Sequence, residues 1–350
     1  MSVAMLLSGG VDSSVALHLL RERRPKELRA FYLKIWLQEE LEDLGDCPWQ
    51  EDLHYARQVC EMAGVPLEVV PLQREYEQHV VSYTVAELRA GRTPSADLLC
   101  NERIKFGAFF DAIDTNFKRV ASGHYAQTST KEGLCQLSRS PDPVKDQTYF
   151  LSRLSQQQLA RCWFPLGHLT KAQVRNEAEE RGLPNRNRPD SQGICFLGKI
   201  PFDQFIRHHL GELPGVIREG NSGKVLGEHR GYWFHTIGQR KGLGLSGGPW
   251  FVVGKDVEKN EILVTHKREL EVESRSTFAV EELHWIAAPP KQQDLEVKLR
   301  HGPNLLPCQL TTDGGEGEVE LSRPDSGIAP GQFAVFYHQE TCLGSGVISR

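Results

Sequence analysis

The chain has 350 residues, 39% hydrophobic and 25% charged, a composition typical of soluble globular proteins with a sizeable core. No apolar stretch is long enough to predict a membrane span, and no N-terminal signal pattern is present, so we expect a cytoplasmic protein that does not bind membranes. The formal net charge of −5 argues against a dedicated, non-specific nucleic-acid binder, and any RNA contact must come from a local basic patch.

The first 200 residues predict alternating strands and helices. Strands are predicted at 3–7, 28–35, 65–71 and 119–123, and helices at 52–62, 76–90 and 104–117. This alternation indicates a Rossmann-like α/β domain with a parallel sheet. Ligands of such sheets bind at the carboxyl ends of the strands. The loops after Leu7, Ile35 and Ala121 are therefore predicted to converge.

The first of these loops has the composition of a phosphate-binding site. It reads Ser-Gly-Gly-Val-Asp-Ser-Ser over residues 8–14, between a predicted strand and a predicted helix. Paired glycines bring backbone N–H groups close to a ligand, and the helix N-terminus adds a positive dipole end. The loop lacks the Gly-Lys-Ser/Thr of mononucleotide sites and the glycine spacing of dinucleotide sites. An ordinary glycine turn before a helix is the alternative.

Beyond residue 200 the pattern changes to short strands and glycine turns. We predict an α/β domain over 1–200, a small β-rich central domain over 201–270 and a C-terminal β-barrel over 271–350. The clearest alternation places Leu295, Val297 and Leu299 on the core side of a strand. Lys298 and Arg300 then fall on its polar side.

Eight cysteines are scattered along the chain without a Cys-x-x-Cys pair. The sequence therefore predicts neither a structural zinc site, nor another metal site, nor a secreted disulfide framework. Cys100 precedes the predicted helix at 104–117, where a helix dipole and nearby basic residues would favour a thiolate. Cys195 lies in an irregular, electropositive stretch that suits a mobile reactive thiol. For each cysteine, a buried structural role is the alternative from the residues alone.

The phosphate loop resembles that of the PP-loop ATP pyrophosphatases, and the whole chain resembles the bacterial-type tRNA-specific 2-thiouridylases. The matching segments are 8–14, 91–94, 100–106, 122–125, 145–151, 190–196, 235–244, 330–332 and 334–337. Residues 93–97 depart from the family's Thr-Pro-Asn-Pro-Asp, because Ser95 and Ala96 replace the Asn and the second Pro. This departure lies beside the implied target-base pocket, where we expect it to affect the local loop geometry and not the reaction.

The resemblance implies ATP-dependent adenylation of the wobble uridine of tRNA, with Mg²⁺, followed by sulfur transfer. Sulfur would come from a cysteine desulfurase or a carrier protein and reside on Cys195 as a persulfide. Cys100 would then form a transient Cys100–Cys195 disulfide, and Asp97 would orient or protonate the uracil, or merely cap a helix. The implied ATP contacts are Leu7, Ser8, Gly9, Gly10, Val11, Asp12, Ser13, Ser14, Leu33 and Gly123. The implied tRNA contacts are Ser95, Ala96, His124, Lys145, Asp146, Gln147, Arg300, His301 and Gln332.

Two other functions fit parts of this pattern. A PP-loop synthetase that transfers nitrogen would adenylate its substrate in the same way but would not need Cys100 and Cys195. A non-catalytic RNA-binding protein could retain the ATP fold, although a complete phosphate loop argues against it.

Overall fold

A computed structural model of the chain describes residues 1–35, 49–190, 201–291 and 294–349. The strands of its N-terminal part are β1 (Ser2–Leu6), β2 (Glu27–Lys34), β3 (Leu67–Pro71), β4 (Arg119–Ala121), β5 (Ala126–Lys131), β6 (Leu134–Arg139) and β7 (Cys162–Trp163). Five of them form a parallel sheet with the order β3-β2-β1-β4-β7. The helices are α1 (Val11–Glu22), α2 (Trp49–Ala63), α3 (residues 73–89), α4 (residues 96–112), α5 (Gln156–Arg161) and α6 (Lys171–Glu180). The predicted parallel α/β sheet is confirmed.

Side chains of β1 alternate between two apolar layers, as expected for a strand covered on both faces. Val3 and Met5 belong to a core formed with α1, α2 and α6, whereas Ala4 and Leu6 belong to a core that includes α3 and α4. All four side chains are buried. The central strand is therefore fixed from both sides, and so is the loop that follows it.

Helix α4 differs from the helix predicted at 104–117. It begins at Ala96, contains a π-helical segment at Cys100–Ala108, and ends at Ala112. The early start follows from the burial of Leu98 and Leu99 in the core, because tertiary packing overrides weak local propensity. The early end follows from a turn in which the Asp114 side chain accepts a hydrogen bond from Asn116 N at 2.9 Å.

In the middle of the chain, helix α7 (Phe202–Leu210) leads into β8 (Gly215–Glu219), β9 (Val225–His229), β10 (Trp250–Asp256) and β11 (Glu261–His266). These strands form a separate four-stranded sheet, ordered β10-β11-β8-β9. Short 3₁₀ helices occur at Thr148–Leu151, Tyr232–Phe234 and Lys267–Glu269. The β-rich character predicted for this region is confirmed.

The C-terminal strands form an antiparallel barrel of six strands. They are β12 (Arg275–Trp285), β13 (Leu295–Lys298), β14 (Leu306–Asp313), β15 (Glu316–Asp325), β16 (Phe333–His338) and β17 (Thr341–Ile348). Their order is β12-β15-β14-β13-β16-β17, and pairing of β12 with β17 closes the circle. The predicted barrel is confirmed. No helix within the described residues is both long and apolar enough to cross a membrane.

The N-terminal domain contributes two strands to the barrel sheet, a feature that the sequence did not reveal. The β5–β6 hairpin extends β17, with Cys342 opposite Leu137 and Thr341 opposite Ser138.

Lys298 was expected on the polar side of β13, but it is 1% exposed. Its ammonium is paired with the buried carboxylate of Asp146 at 2.7 Å. The predicted side of the strand for Lys298 is therefore correct, but its expected exposure to solvent is wrong, because the N-terminal domain covers this side of β13.

Candidate active site

The phosphate loop is folded by its own serines. Ser13 Oγ donates to Gly10 O at 3.0 Å and accepts from Ser8 N at 3.2 Å, while Ser14 Oγ donates to Gly10 O at 2.9 Å. Gly10 is the N-cap of α1, so the N–H groups of the first helical turn have no intrahelical partners. These donors and the helix dipole form an anion-binding surface.

The two adjacent glycines serve different purposes. Gly9 has a φ of +76°, and an added Cβ would lie 2.2 Å from the backbone oxygen of Asp52. Gly10 has an ordinary extended backbone, and an added Cβ would meet only Ser8 Oγ, at 3.4 Å. Gly9 is therefore required by the fold. Gly10 leaves open space beside the helix N-terminus, of the kind that a phosphate group needs.

The loop after β4 contacts the first turn of α1. A Cβ at Gly123 would lie 2.8 Å from Ser13 N, so only glycine permits this approach. Leu33 is the second-last residue of β2 and is partly buried against the core. These strand ends meet at one edge of the sheet, as the βα pattern predicted. Residues 36–48, which follow Ile35, lie outside the described residues.

Two residues that sequence reasoning missed hold the phosphate loop from behind. Asn185 Nδ2 donates to Gly9 O and to Ser14 Oγ, both at 2.8 Å. Arg188 donates to Gly9 O at 3.1 Å and pairs with Asp52 at 2.8 Å. No short motif marks them, because their partners are more than 130 positions away in sequence.

An ion-pair cluster stands beside the loop. Lys171 Nζ lies 2.6 Å from Asp12 Oδ1 and 2.8 Å from Asp190 Oδ1. Lys145 Nζ lies 2.5 Å from Asp190 Oδ2, and Arg175 pairs with the other Asp190 oxygen. Burial alone would raise the pKa of Asp190, but hydrogen bonds from Lys145 and Lys171 hold that pKa well below its usual value. Asp190 therefore stays ionised, and through Lys171 it links Lys145 to Asp12 of the phosphate loop.

Tyr125 contacts the same ion-pair cluster through Asp12. Its hydroxyl donates to Asp12 Oδ1 at 2.8 Å. Burial, together with the negative charge of Asp12, raises the pKa of Tyr125 far above its usual value. The hydroxyl is therefore a permanent donor that orients the Asp12 carboxylate.

Cys100 is the fifth residue of α4 and is 1% exposed. It lies within this helix, so the predicted position before a helix N-terminus is wrong. Asp97 occupies the first turn of α4, and Ser95 is its N-cap without a side-chain capping bond. Ala96 is buried. Cys195 lies in residues 191–200, outside the described residues, so its relation to Cys100 stays a prediction.

The segment before α4 is held by all three parts of the chain. Thr93 N donates to Pro330 O of the barrel at 2.8 Å. The hydroxyl of Thr93 lies 3.1 Å from that of Thr236 in the central region. Gly331 packs so closely that an added Cβ would lie 2.9 Å from Thr93 O. Residues 95–97 are therefore presented from a fixed junction.

The other predicted RNA contacts lie in varied environments. His124 is mostly buried, with Nδ1 2.8 Å from Ser122 Oγ, and burial and nearby Lys105 hold its pKa well below the usual value. Gln147 accepts from Tyr125 N at 2.9 Å. The Asp146 side chain points inward to Lys298 and Arg139. The side chains of Asp146 and Gln147 are therefore used in contacts within the protein, and Lys145 supplies the positive charge of this segment.

The barrel contributes a second group beside this segment. His301 stacks on Phe150, with ring centroids 4.8 Å apart, and its Nε2 lies 3.2 Å from Asp146 O. Arg300 makes a two-pronged pair with Asp325 at 3.0 and 3.1 Å and keeps an exposed side chain. Gln332 lies next to the junction, where its backbone oxygen accepts from Ile348 N at 2.8 Å. The structure thus brings His301 next to residues 145–147.

Comparisons with known proteins cover the whole chain. Residues 1–199 match a family described as the tRNA methyl transferase HUP domain, residues 203–266 its PRC-barrel domain, and residues 275–348 the aminomethyltransferase β-barrel domain.

Three full-length relatives are named as MnmA tRNA-specific 2-thiouridylases. The tRNA-specific 2-thiouridylase MnmA 1 of Bacteroides thetaiotaomicron is 46% identical over 358 residues, covering 100% of both chains. MnmA of Parabacteroides distasonis is 43% identical over 355 residues, covering 99% of each chain. MnmA of Porphyromonas gingivalis is 44% identical over 361 residues, covering 100% of this chain and 99% of its own. At this identity and coverage, the chain belongs to the tRNA-specific 2-thiouridylase family of ATP-using, tRNA-modifying sulfurtransferases.

Proposed function

We propose that the protein converts the wobble uridine of tRNA, position 34, to 2-thiouridine through an adenylated intermediate. The observation that carries the proposal is the phosphate loop, where open space at Gly10 adjoins the N–H groups of α1. This surface suits the polyphosphate of ATP. The C2 oxygen of uracil is a poor leaving group. Its attack on the α-phosphate releases pyrophosphate and turns that oxygen into part of AMP, which leaves readily.

The parts of the site divide this first step between them. Residues 8–14 would cradle the phosphates, while Leu7, Leu33 and Gly123 would line the rest of the nucleotide. Loop N–H groups stabilise the charge that develops on pyrophosphate. The carboxylate of Asp12, oriented by Tyr125, is an oxygen donor of the kind that Mg²⁺ prefers, shared with substrate phosphates. Bound there, the ion would neutralise phosphate charge.

The second step replaces oxygen by sulfur. The terminal sulfur of a persulfide on Cys195 attacks C2, and AMP leaves with the former C2 oxygen. The Cys100 thiolate then attacks Cys195 Sγ, which breaks the sulfur–sulfur bond, leaves sulfur on C2 and forms a Cys100–Cys195 disulfide. An external thiol reduces this disulfide. A cysteine desulfurase or carrier protein reloads Cys195, and a reducing cytoplasm suits both reactions.

Target recognition is proposed for two surfaces. Ser95, Ala96 and Asp97 would receive the flipped uracil, with Asp97 as an orienting or proton-transferring group. His124, Lys145, Gln147, Arg300, His301 and Gln332 would contact the surrounding RNA, and Asp146 would position its neighbours. In support, His301 and Lys145 flank the buried Asp146, so the barrel and the catalytic domain would grip the RNA together.

ATP–pyrophosphate exchange tests the adenylation step. Full-length protein is incubated with ATP, labelled pyrophosphate and unmodified tRNA, with a parallel sample lacking tRNA. We expect exchange only with tRNA whose position 34 is uridine, because the uracil oxygen is the acceptor. Exchange that is equally fast with a tRNA carrying cytidine at position 34 would contradict the proposed acceptor. A nitrogen-transferring synthetase would instead need an ammonia source and no persulfide cysteine.

A further inference from the structure

Lys171 is a cation beside the phosphate loop that none of the matching motifs contains. Its ammonium lies 2.6 Å from Asp12 Oδ1 and 2.8 Å from Asp190 Oδ1. Asp12 belongs to the first turn of α1, the turn whose N–H groups form the anion-binding surface. A cation one ion-pair distance from that turn is within reach of a phosphate bound there.

The backbone of Lys171 is anchored, so only its side chain needs to move. Lys171 is the first residue of α6, capped by a capping box between Thr170 and Gln173. Its N–H donates to Asp142 Oδ2 at 2.9 Å. Further along, Val174 and Ala178 pack into the core shared with α1. The distance between the Lys171 backbone and the phosphate loop is therefore set by the fold.

The neighbouring cations do not share this position. Lys145 and Arg175 both pair with Asp190, and neither forms an ion pair with Asp12 among the described residues. If Lys171 leaves its carboxylates, Asp190 keeps two cations and Asp12 keeps the Tyr125 hydroxyl. Lys171 can thus turn to a new anion while each of these partly exposed carboxylates keeps a hydrogen-bond partner.

We propose that Lys171 is a ligand of the β- or γ-phosphate of ATP and exchanges Asp12 for the phosphate when ATP binds. This inference rests on the proposed function of the phosphate loop. A polyphosphate carries more negative charge than one carboxylate, so the exchange is favourable. The ammonium also neutralises charge on the pyrophosphate as it leaves, and Asp12 is freed for a metal ion.

Binding measurements with two nucleotides test the proposal. The affinities of α,β-methylene-ATP and of AMP are compared for wild type, Lys171→Met, Lys171→Arg and Arg181→Met. Arg181 is the matched control, because it lies at the far end of α6 and pairs with Glu22 of α1 and with Glu177. Thermal unfolding verifies that each variant is folded.

We expect Lys171→Met to weaken α,β-methylene-ATP about 10- to 100-fold, the loss typical of one charged hydrogen bond, and to change AMP affinity less than about twofold. Lys171→Arg should recover part of the loss, and Arg181→Met should behave as wild type. Unchanged ATP-analogue affinity in Lys171→Met, or equal losses for both nucleotides, would overturn the proposal. A wild-type protein that binds neither nucleotide would instead contradict the proposed function itself.

Discussion

Asp146 and Lys298 form a fully buried ion pair across the junction between the N-terminal domain and the barrel, with 2.7 Å between Oδ2 and Nζ. Arg139 also contacts this carboxylate, at 3.3 Å, and Thr148 donates to its other oxygen at 2.8 Å. Asp146 thus has several partners, whereas Lys298 has no other anionic partner among the described residues. The two ends of the pair should therefore differ in their response to mutation.

Asp146→Ala should be more damaging than Lys298→Met. Removing the carboxylate leaves a buried, unpaired ammonium, at a cost of about 3–5 kcal/mol. Removing the ammonium leaves Asp146 with Arg139 and Thr148, and should cost about 1–3 kcal/mol. The free energy of unfolding of both variants is measured by urea denaturation. The double variant should be more stable than Asp146→Ala alone, and the opposite order would refute this account. Arg300→Met, which breaks an exposed pair, should cost at most about 1 kcal/mol.

The two glycines of the phosphate loop predict a separation of folding from binding. Gly10→Ala should change the free energy of unfolding by no more than about 0.5 kcal/mol, because its Cβ enters open space. It should nevertheless lower the affinity for ATP at least about tenfold, because the added methyl group obstructs the phosphate. Gly9→Ala should destabilise the protein by more than about 1 kcal/mol, since its positive φ and the Asp52 backbone oppose a side chain. Calorimetric unfolding and ATP titration measure the two effects. Wild-type ATP binding by folded Gly10→Ala would remove the assignment of the loop.

Lys255, a half-buried lysine of the central sheet whose ammonium nitrogen is buried, predicts a pH effect on stability. Burial lowers the pKa of Lys255 to about 8, and its Nζ has no hydrogen-bond partner among the described residues. In the unfolded chain Lys255 has the ordinary lysine pKa of 10.5. Between pH 8 and pH 10.5 the unfolded chain is therefore protonated at this residue while the folded protein is mostly not. The destabilisation is therefore complete below pH 8 and disappears as the pH rises towards 10.5.

Lys255→Met should consequently stabilise the protein at pH 7 by about 2–3 kcal/mol, and the gain should shrink at pH 9.5. Denaturant unfolding at both pH values measures it, with the exposed Lys267→Met as the control. A gain that is the same at both pH values would show that the ammonium charge is not its cause.

The cysteine mechanism predicts that activation and sulfur transfer can be separated. Cys195→Ser should lose the protein persulfide and thiolation while keeping tRNA-dependent pyrophosphate exchange. Cys100→Ser should still load a persulfide but should not form the disulfide. Peptide mapping after turnover without reductant should show a Cys100–Cys195 linkage in wild type, formed faster with tRNA present. A wild-type level of persulfide in Cys195→Ser would identify a different acceptor.

The sequence predicted those features that depend on neighbours along the chain. The Ser-Gly-Gly loop, the βα alternation and the inward side chains Leu295 and Val297 are local patterns with a direct physical meaning. Burial of Lys298 depends on Asp146, 152 positions away, and attachment of the β5–β6 hairpin to the barrel depends on residues near the C-terminus. Alternation states which side a residue faces but not what covers that side.

The same limit applies to the candidate site. Asp12 and the loop glycines were predicted, whereas Lys171, Asn185 and Arg188 were not, because their partners are identified only when the chain folds. Cys100 was predicted to precede a helix, and this position was wrong; its catalytic role stays a prediction. The packing of Leu98 and Leu99 starts α4 earlier than local propensity indicates, and this places Cys100 inside the helix.

Nucleoside mass spectrometry of the product tRNA tests the central claim most directly. Full-length protein is incubated with ATP, Mg²⁺, a sulfide donor and unmodified tRNA, and the tRNA is then digested and analysed. We predict 2-thiouridine at position 34, with one AMP and one pyrophosphate released for each uridine converted. Without ATP we predict no 2-thiouridine. Absence of 2-thiouridine from the complete reaction, or its formation at the same rate without ATP, would contradict ATP-dependent thiolation by this protein.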